Sequence, residues 1–200
     1  IQPTNIVTSE VTSQMELSVR KTDLLRELQL FQGIVERKNT IPILANILVE
    51  AEEGAGEIRL LATDLEVGLR SRCTAEVTKG GSLTLPAKKL YEIVRALPET
   101  EVSISQSAAG AVNIAAERFS SRMQTLPRED FPTLPEPTGT GTVSLPREAL
   151  REMVAKTQFA VTGEDTRYFL NGALLVLGAT SMSLVATDGH RLALVSASKA

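Results

Sequence analysis

Leu24, Leu25, Leu28 and Phe31 recur at the spacing of one helix face, and Leu90, Ile93, Val94 and Leu97 repeat that pattern farther along. Each stretch reads as an amphipathic helix. Thr22 stands where the first helix would be capped and Gly33 where it would stop. Pro86 opens the second, since a proline in the first turn forfeits no hydrogen bond. A third helix is predicted over 146–158, behind Pro146. Between the helices the pattern changes to period two. Residues 16–19 alternate, as do 66–76, where Val67, Leu69, Ser71 and Cys73 face one way and Glu66, Gly68, Arg70 and Arg72 the other. Further strands are predicted at 43–50, 57–63, 82–85, 101–105, 111–115 and 119–125, then at 143–146, 169–177, 181–186 and 191–196. Short connections, such as the turn bearing Gly54 and Gly56, favour antiparallel hairpins, so the fold class is α+β.

The pattern is also duplicated. Leu60-Leu61-Ala62-Thr63-Asp64 returns as Leu184-Val185-Ala186-Thr187-Asp188, and each copy is preceded by a helical run, 23–28 in one and 149–154 in the other. That period far exceeds the roughly 20–50 residues of solenoid repeats, so the repeated unit is a domain. Four of the nine prolines fall between 127 and 137, followed by Gly139 and Gly141, and mark the connection. The expected organisation is an extension at 1–14, a first domain at 15–135, a linker at 136–141 and the first half of a second domain at 142–200. A second copy with one of its predecessor's two strand-helix-strand halves predicts a longer parent protein.

A chain 42% hydrophobic and 22% charged fits folded domains with ordinary cores. No apolar run approaches the roughly 18 residues of a bilayer crossing, and residues 1–14 lack the features of a secretory signal, so a cytoplasmic protein without membrane contact is expected. Cys73 and His190 are the single cysteine and histidine, which leaves no multi-ligand Cys or His site; no metal and no cofactor are expected. The net charge of -3 argues against a tight, indiscriminate grip on nucleic acid, although a mildly acidic protein can still gather cations on one surface.

Several stretches, in order, resemble the bacterial sliding clamp family, the beta subunit of DNA polymerase III: Thr40-Ile41-Pro42-Ile43-Leu44, Ala62-Thr63-Asp64-Leu65-Glu66, Leu85-Pro86-Ala87-Lys88-Lys89, Thr125-Leu126-Pro127 with Asp130-Phe131-Pro132, Thr166-Arg167-Tyr168-Phe169-Leu170-Asn171-Gly172 and Ala186-Thr187-Asp188-Gly189-His190-Arg191-Leu192. The resemblance implies the DNA clamp fold, in which tandem domains each pack two helices on antiparallel sheets. It further implies a head-to-tail homodimeric ring around duplex DNA, without sequence preference or catalysis of its own. The implied protein partners are the catalytic subunit of DNA polymerase III, the clamp loader and other proteins bearing clamp-binding motifs. The third domain would be absent from these 200 residues.

Carried over residue by residue, the resemblance assigns DNA contact to Lys38, Lys88, Lys89, Arg95, Arg151, Tyr168 and Phe169. The alternative for the cations is a solvated helix face with pairs such as Glu148 with Arg151 and Glu152 with Lys156. For Tyr168 and Phe169 the alternative is core packing at a strand start. Leu170, Thr187, Gly189, His190, Arg191 and Leu192 match the second domain's share of a pocket that receives short hydrophobic peptide motifs. Arg118, Phe119, Ser121 and Met123 lie where the family's ring joint falls. Asp188 and His190 also suggest a rival, a small hydrolase or transferase using them as an acid/base pair. A second rival is a clamp-like interaction module outside replication.

Overall fold

A strand, β1 (Glu16–Arg20), runs straight into a helix, α1 (Lys21–Val35), and the Lys21 N–H donates to the Thr100 carbonyl at 2.9 Å. Helix α1 thus begins before Thr22, which lies inside its first turn, and it continues through Gly33 because Val35 prolongs the buried stripe of Leu24, Leu28 and Phe31. The computed structural model describes residues 15–35, 41–107, 110–135, 139, 142–163 and 167–198. The expected extension at 1–14 and Lys38 lie outside the described residues.

After α1 come β2 (Asn46–Ala51), β3 (Glu57–Thr63), β4 (Gly68–Thr74), β5 (Glu76–Lys79) and β6 (Gly81–Pro86), then α2 (Ala87–Ala96), β7 (Glu101–Gln106), β8 (Ala111–Ala116) and β9 (Phe119–Gln124). They form two antiparallel sheets, one in the order β4-β3-β2-β6 and the other β5-β1-β7-β8-β9. The strand expected over 66–76 is therefore two. Its ends belong to different sheets, and Ala75 alone makes the crossing, its N–H donating to the Gly56 carbonyl at 3.1 Å.

Leu28 and Phe31 of α1 and Leu90 of α2 share one buried cluster with Ile47 and Leu60 of one sheet and Ile104 of the other. Burying side chains of this size contributes about 1.5–3 kcal/mol each, so this layer carries the first unit. Strand β2 is covered on both faces: Ile47 and Val49 point into that core, while Leu48 packs with Ile43, Leu44 and Phe131. Thr84 of β6 is fully buried and ties the sheet to the chain leaving β9. Its hydroxyl donates to the Leu126 carbonyl (2.7 Å) and accepts from the Leu126 N–H (3.1 Å) and Asn46 Nδ2 (3.2 Å). Glu27 of α1 is buried too, accepting from Arg26 Nε at 3.0 Å and from the Ser71 hydroxyl of β4. Cys73 on the same strand is inert: burial, with help from Asp23 and Glu27, pushes its thiol up to about 11.

The chain divides into two compact units, Ile1–Glu136 and Pro137–Ala200. In the second, α3 (Arg147–Thr157) lays Met153 against Met182 and Leu184 of a three-stranded antiparallel sheet made of β10 (Leu174–Leu177), β11 (Ser181–Thr187) and β12 (Leu192–Ser198). Residues 143–146, expected as a strand, form no ladder; a strand exists only through pairing, and none of the described strands pairs with them. Leu145 instead packs on the Met153 cluster. The strand expected over 169–177 begins only at Leu174, because Tyr168–Leu170 is a 3-10 turn. No described helix is long and apolar enough to cross a membrane.

Candidate functional site

The duplicated Leu-x-Ala-Thr-Asp segments end in the same turn. In the first copy the Thr63 hydroxyl accepts from the Leu65 N–H (3.0 Å), and Asp64 Oδ1 accepts from the N–H groups of Glu66 (3.0 Å) and Val67 (2.7 Å). In the second, Thr187 accepts from Gly189 (3.1 Å), and Asp188 Oδ1 accepts from His190 (2.9 Å) and Arg191 (3.0 Å). Short polar side chains here replace backbone pairing at the point where the chain reverses. The third residue of each corner is left-handed, Leu65 at φ 78 and Gly189 at φ 86.

The copies differ in what the turn presents. Around Gly189 two arginines gather: Arg191 Nε bonds Asp188 Oδ2 at 2.9 Å, and Arg167 Nη2 donates to the Asp188 carbonyl at 3.3 Å. A Cβ on Gly189 would stand 3.0 Å from the Arg167 guanidinium, so glycine serves both the backbone conformation and the close approach. Arg191 also lies over the Phe159 ring, 5.6 Å from its centroid. Leu192 is 64% exposed and Leu170 half-buried. The structure thus brings Thr187, Gly189, His190, Arg191 and Leu192 together on one reversal of β11 into β12, with Arg167 bonded to it from the segment that holds Leu170. Neither Arg167 nor Phe159 was expected at the site; no periodicity signals a loop arginine that reaches 21 positions along the chain.

This geometry opposes acid/base chemistry. Asp188 meets His190 through the backbone N–H, and no hydrogen bond joins its carboxylate to the imidazole among the described residues. The N–H groups of His190 and Arg191, then the Arg191 side chain, hold the carboxyl at about 2, so it stays ionised near neutrality. A carboxyl depressed in the fold stabilises it fully above about pH 4, the unfolded value, and that contribution is lost as pH falls through about 2. Side-chain carbon NMR is expected to give Asp188 a midpoint near 2; a midpoint near 4 would contradict the turn geometry. Among the described residues no group of His, Cys, Asp and Glu is arranged to hold a metal ion.

Lys88, Lys89 and Arg95 stand on the solvent side of α2, whose other face buries Ala87, Leu90 and Val94, and Arg95 lies over Tyr91 at 5.7 Å. Arg151 on α3 is 75% exposed and pairs with Glu148 at 3.7 Å, while Lys156 pairs with Glu152. Exposed pairs of this kind contribute about 0–1 kcal/mol, so an incoming phosphate can displace them. Tyr168 and Phe169 are 82% and 69% exposed and meet edge to face.

In the segment expected at a ring joint, Arg118 and Phe119 are exposed and Ser121 half-buried on β9, which closes one edge of its sheet. Met123 is a correction: only 1% exposed, it belongs to the main core and has no surface to offer a partner. It shares one face of β9 with Phe119 and Ser121, and burial deepens along that face from exposed to half-buried to buried.

Comparison with known proteins fits this arrangement. The family model for the DNA polymerase III beta subunit, N-terminal domain, matches residues 15–135, and that for the central domain matches 144–199. Beta sliding clamps of Pseudomonas putida and Caulobacter vibrioides are 38% and 39% identical, over 92% and 90% of this chain and 50% of each relative. The crystal structure of the DNA polymerase III subunit beta from Pseudomonas aeruginosa aligns with a TM-score of 0.85 at 37% identity, over 92% of this chain and 50% of that one. A Pseudomonas aeruginosa clamp bound to griselimycin aligns at 0.83 and 38%, again over 92% and 50%. The chain spans about half the length of the relatives it matches. With two consecutive family domains matched in order on the same antiparallel architecture, the chain belongs to the DNA polymerase III beta subunit family, the beta sliding clamps.

Proposed function

We propose that this chain forms part of a cytoplasmic, non-catalytic processivity factor that encircles duplex DNA and tethers the replicative polymerase. The ordered match of both family domains over 15–135 and 144–199 carries the reading. Tethering keeps the polymerase near the primer end at high effective concentration, turning repeated encounters into nearly intramolecular ones. Lys38, Lys88, Lys89, Arg95 and Arg151, with the exposed Tyr168 and Phe169, are assigned to the DNA side. Contacts of long cations with phosphate are blind to sequence and sensitive to salt, and a few of them let DNA slide. The Gly189 corner, with Leu170, Thr187, His190, Arg191 and Leu192, is assigned to motif peptides of the polymerase catalytic subunit, the clamp loader and other partners. Arg118, Phe119 and Ser121 are assigned to the joint between two copies.

Topology, rather than affinity, would hold such a ring on DNA. The protein encoded by the complete reading frame is expected to stay on nicked circular DNA after loading and to run off when the circle is linearised, as gel filtration reads directly. Retention that survives linearisation would indicate ordinary binding and overturn the ring.

A further inference from the structure

The outward face of the sheet β4-β3-β2-β6 carries charges in an order that does not favour folding. Pairing sets Arg72 of β4 directly opposite Arg59 of β3, and Arg59 in turn opposite Glu50 of β2. Like charges on directly opposed residues destabilise a sheet. Glu50, which is placed to relieve Arg59, is drawn off by Arg128, whose Nη2 lies 3.2 Å from its Oε1. Arg59 reaches Glu52 only at 3.9 Å, and Arg72 gives Nη1 to Glu57 at 3.1 Å. The Arg59 and Arg72 side chains are 55% and 68% exposed, and pairs so open to solvent yield to a stronger anion. Arg70 stands two residues before Arg72 on β4, hence on the same face, opposite Leu61. Its Nη2 donates to the carbonyls of Leu134 (2.7 Å) and Pro135 (3.2 Å), so the chain leaving β9 steadies this guanidinium. The three arginines, with Glu50, Leu61 and Ser71, line a cavity of about 280 Å³. Ligand sites commonly hold roughly 300–1,000 Å³, so a compact anion suits this one.

We infer that Arg59, Arg70 and Arg72 bind a diphosphate group on this face, either the free anion or part of a nucleotide. Each guanidinium offers a planar fork of donors that matches phosphate oxygens. Arg70 and Arg72 are separated by two strand rises of about 3.3 Å, and Arg59 lies about 4.5–5.5 Å across from Arg72. A diphosphate bridges forks spread this widely, whereas one phosphate engages only part of the set. Glu50, Glu52 and Glu57 oppose an anion here, and Arg59, Arg70, Arg72 and Arg128 outnumber them.

The test titrates the 200-residue chain with inorganic diphosphate at fixed ionic strength, read on the arginine Nε–Hε resonances. Saturating shifts are expected at Arg59 and Arg72. Arg59→Gln and Arg72→Gln are each expected to weaken binding about tenfold, and Arg72→Lys about threefold, because lysine keeps the charge and loses the fork. Arg147→Gln, which removes an 88% exposed cation of the second unit, is expected to bind as the parent does. Without ligand, Arg59→Gln is expected to melt no lower than the parent, since it ends the opposition to Arg72, and diphosphate is expected to raise the parent's midpoint more than the variant's. A lower melting point for Arg59→Gln would mean that this arginine serves the fold, and it overturns the inference. So does a parent that fails to saturate, or an Arg147→Gln as damaging as Arg59→Gln, which would be ordinary screening. AMP is expected to bind about tenfold more weakly than ADP. ADP tighter than inorganic diphosphate assigns the group to a nucleotide, and ADP equal or weaker assigns it to the free anion. AMP equal to ADP overturns the diphosphate, and acetyl-Glu-Ser-Glu-amide binding as tightly as diphosphate would make the face a docking surface for acidic protein segments instead.

Discussion

Replacing Thr84 with Val is expected to lower the stability of the first unit by about 2–3 kcal/mol, although the substitution preserves shape and adds no polar group. The buried hydroxyl holds both backbone groups of Leu126 and the amide of Asn46, a residue itself 4% exposed. Valine leaves these groups without their partner in a site that water reaches poorly, and it is the unmet groups that set the size of the loss. Thr84→Ser keeps the hydroxyl and forfeits one methyl, at about 1 kcal/mol. Urea unfolding of the three proteins gives the comparison: equal midpoints for Val and Ser would show that packing, not hydrogen bonding, fixes this position.

The twin turns give a second large effect, of opposite sign in the two copies. Gly189→Val puts a β-branched residue at φ 86 and presses it on the Arg167 guanidinium, so a loss of about 2–3 kcal/mol is expected in the second unit. In the first unit a leucine already sits in this conformation, 60% exposed at φ 78. Leu65→Gly relieves the left-handed cost of about 1–2 kcal/mol, and the extra freedom of glycine in the unfolded chain offsets part of it. A net gain of about 0.5–1 kcal/mol remains. Thermal melts that move in the same direction for both variants would refute the equivalence of the two corners.

Period and punctuation made much of the fold legible. The buried stripes of α1 and α2 and the hairpin at Gly54 and Gly56 follow directly from residue spacing. The split between β4 and β5 was hidden for a physical reason: Cys73, Ala75 and Val77 keep the inward phase across the crossing, so alternation continues while the hydrogen-bonding partners change. Residues 143–146 failed in the opposite way, since Val143 and Leu145 alternate correctly but pairing depends on distant segments. At the site, the repeated Thr-Asp pair was visible in the sequence, whereas its role required the donors it accepts from. Phe159 and Arg167 escaped because a side chain over a guanidinium and one beside a glycine are facts of three dimensions. Met123 was misplaced because it shares a face of β9 with Phe119 and Ser121, and spacing alone does not show where along that face the core begins.

The single-residue crossing at Ala75 bears on how the first unit comes apart. One residue spans at most about 3.6 Å, so β4 and β5 have no slack with which their sheets could separate while both ladders stay intact. Opening one sheet drags a strand out of the other. The two sheets and the helices that share their core therefore behave as one cooperative block, in which a lesion at Thr84 on one edge is felt by amides on the far edge.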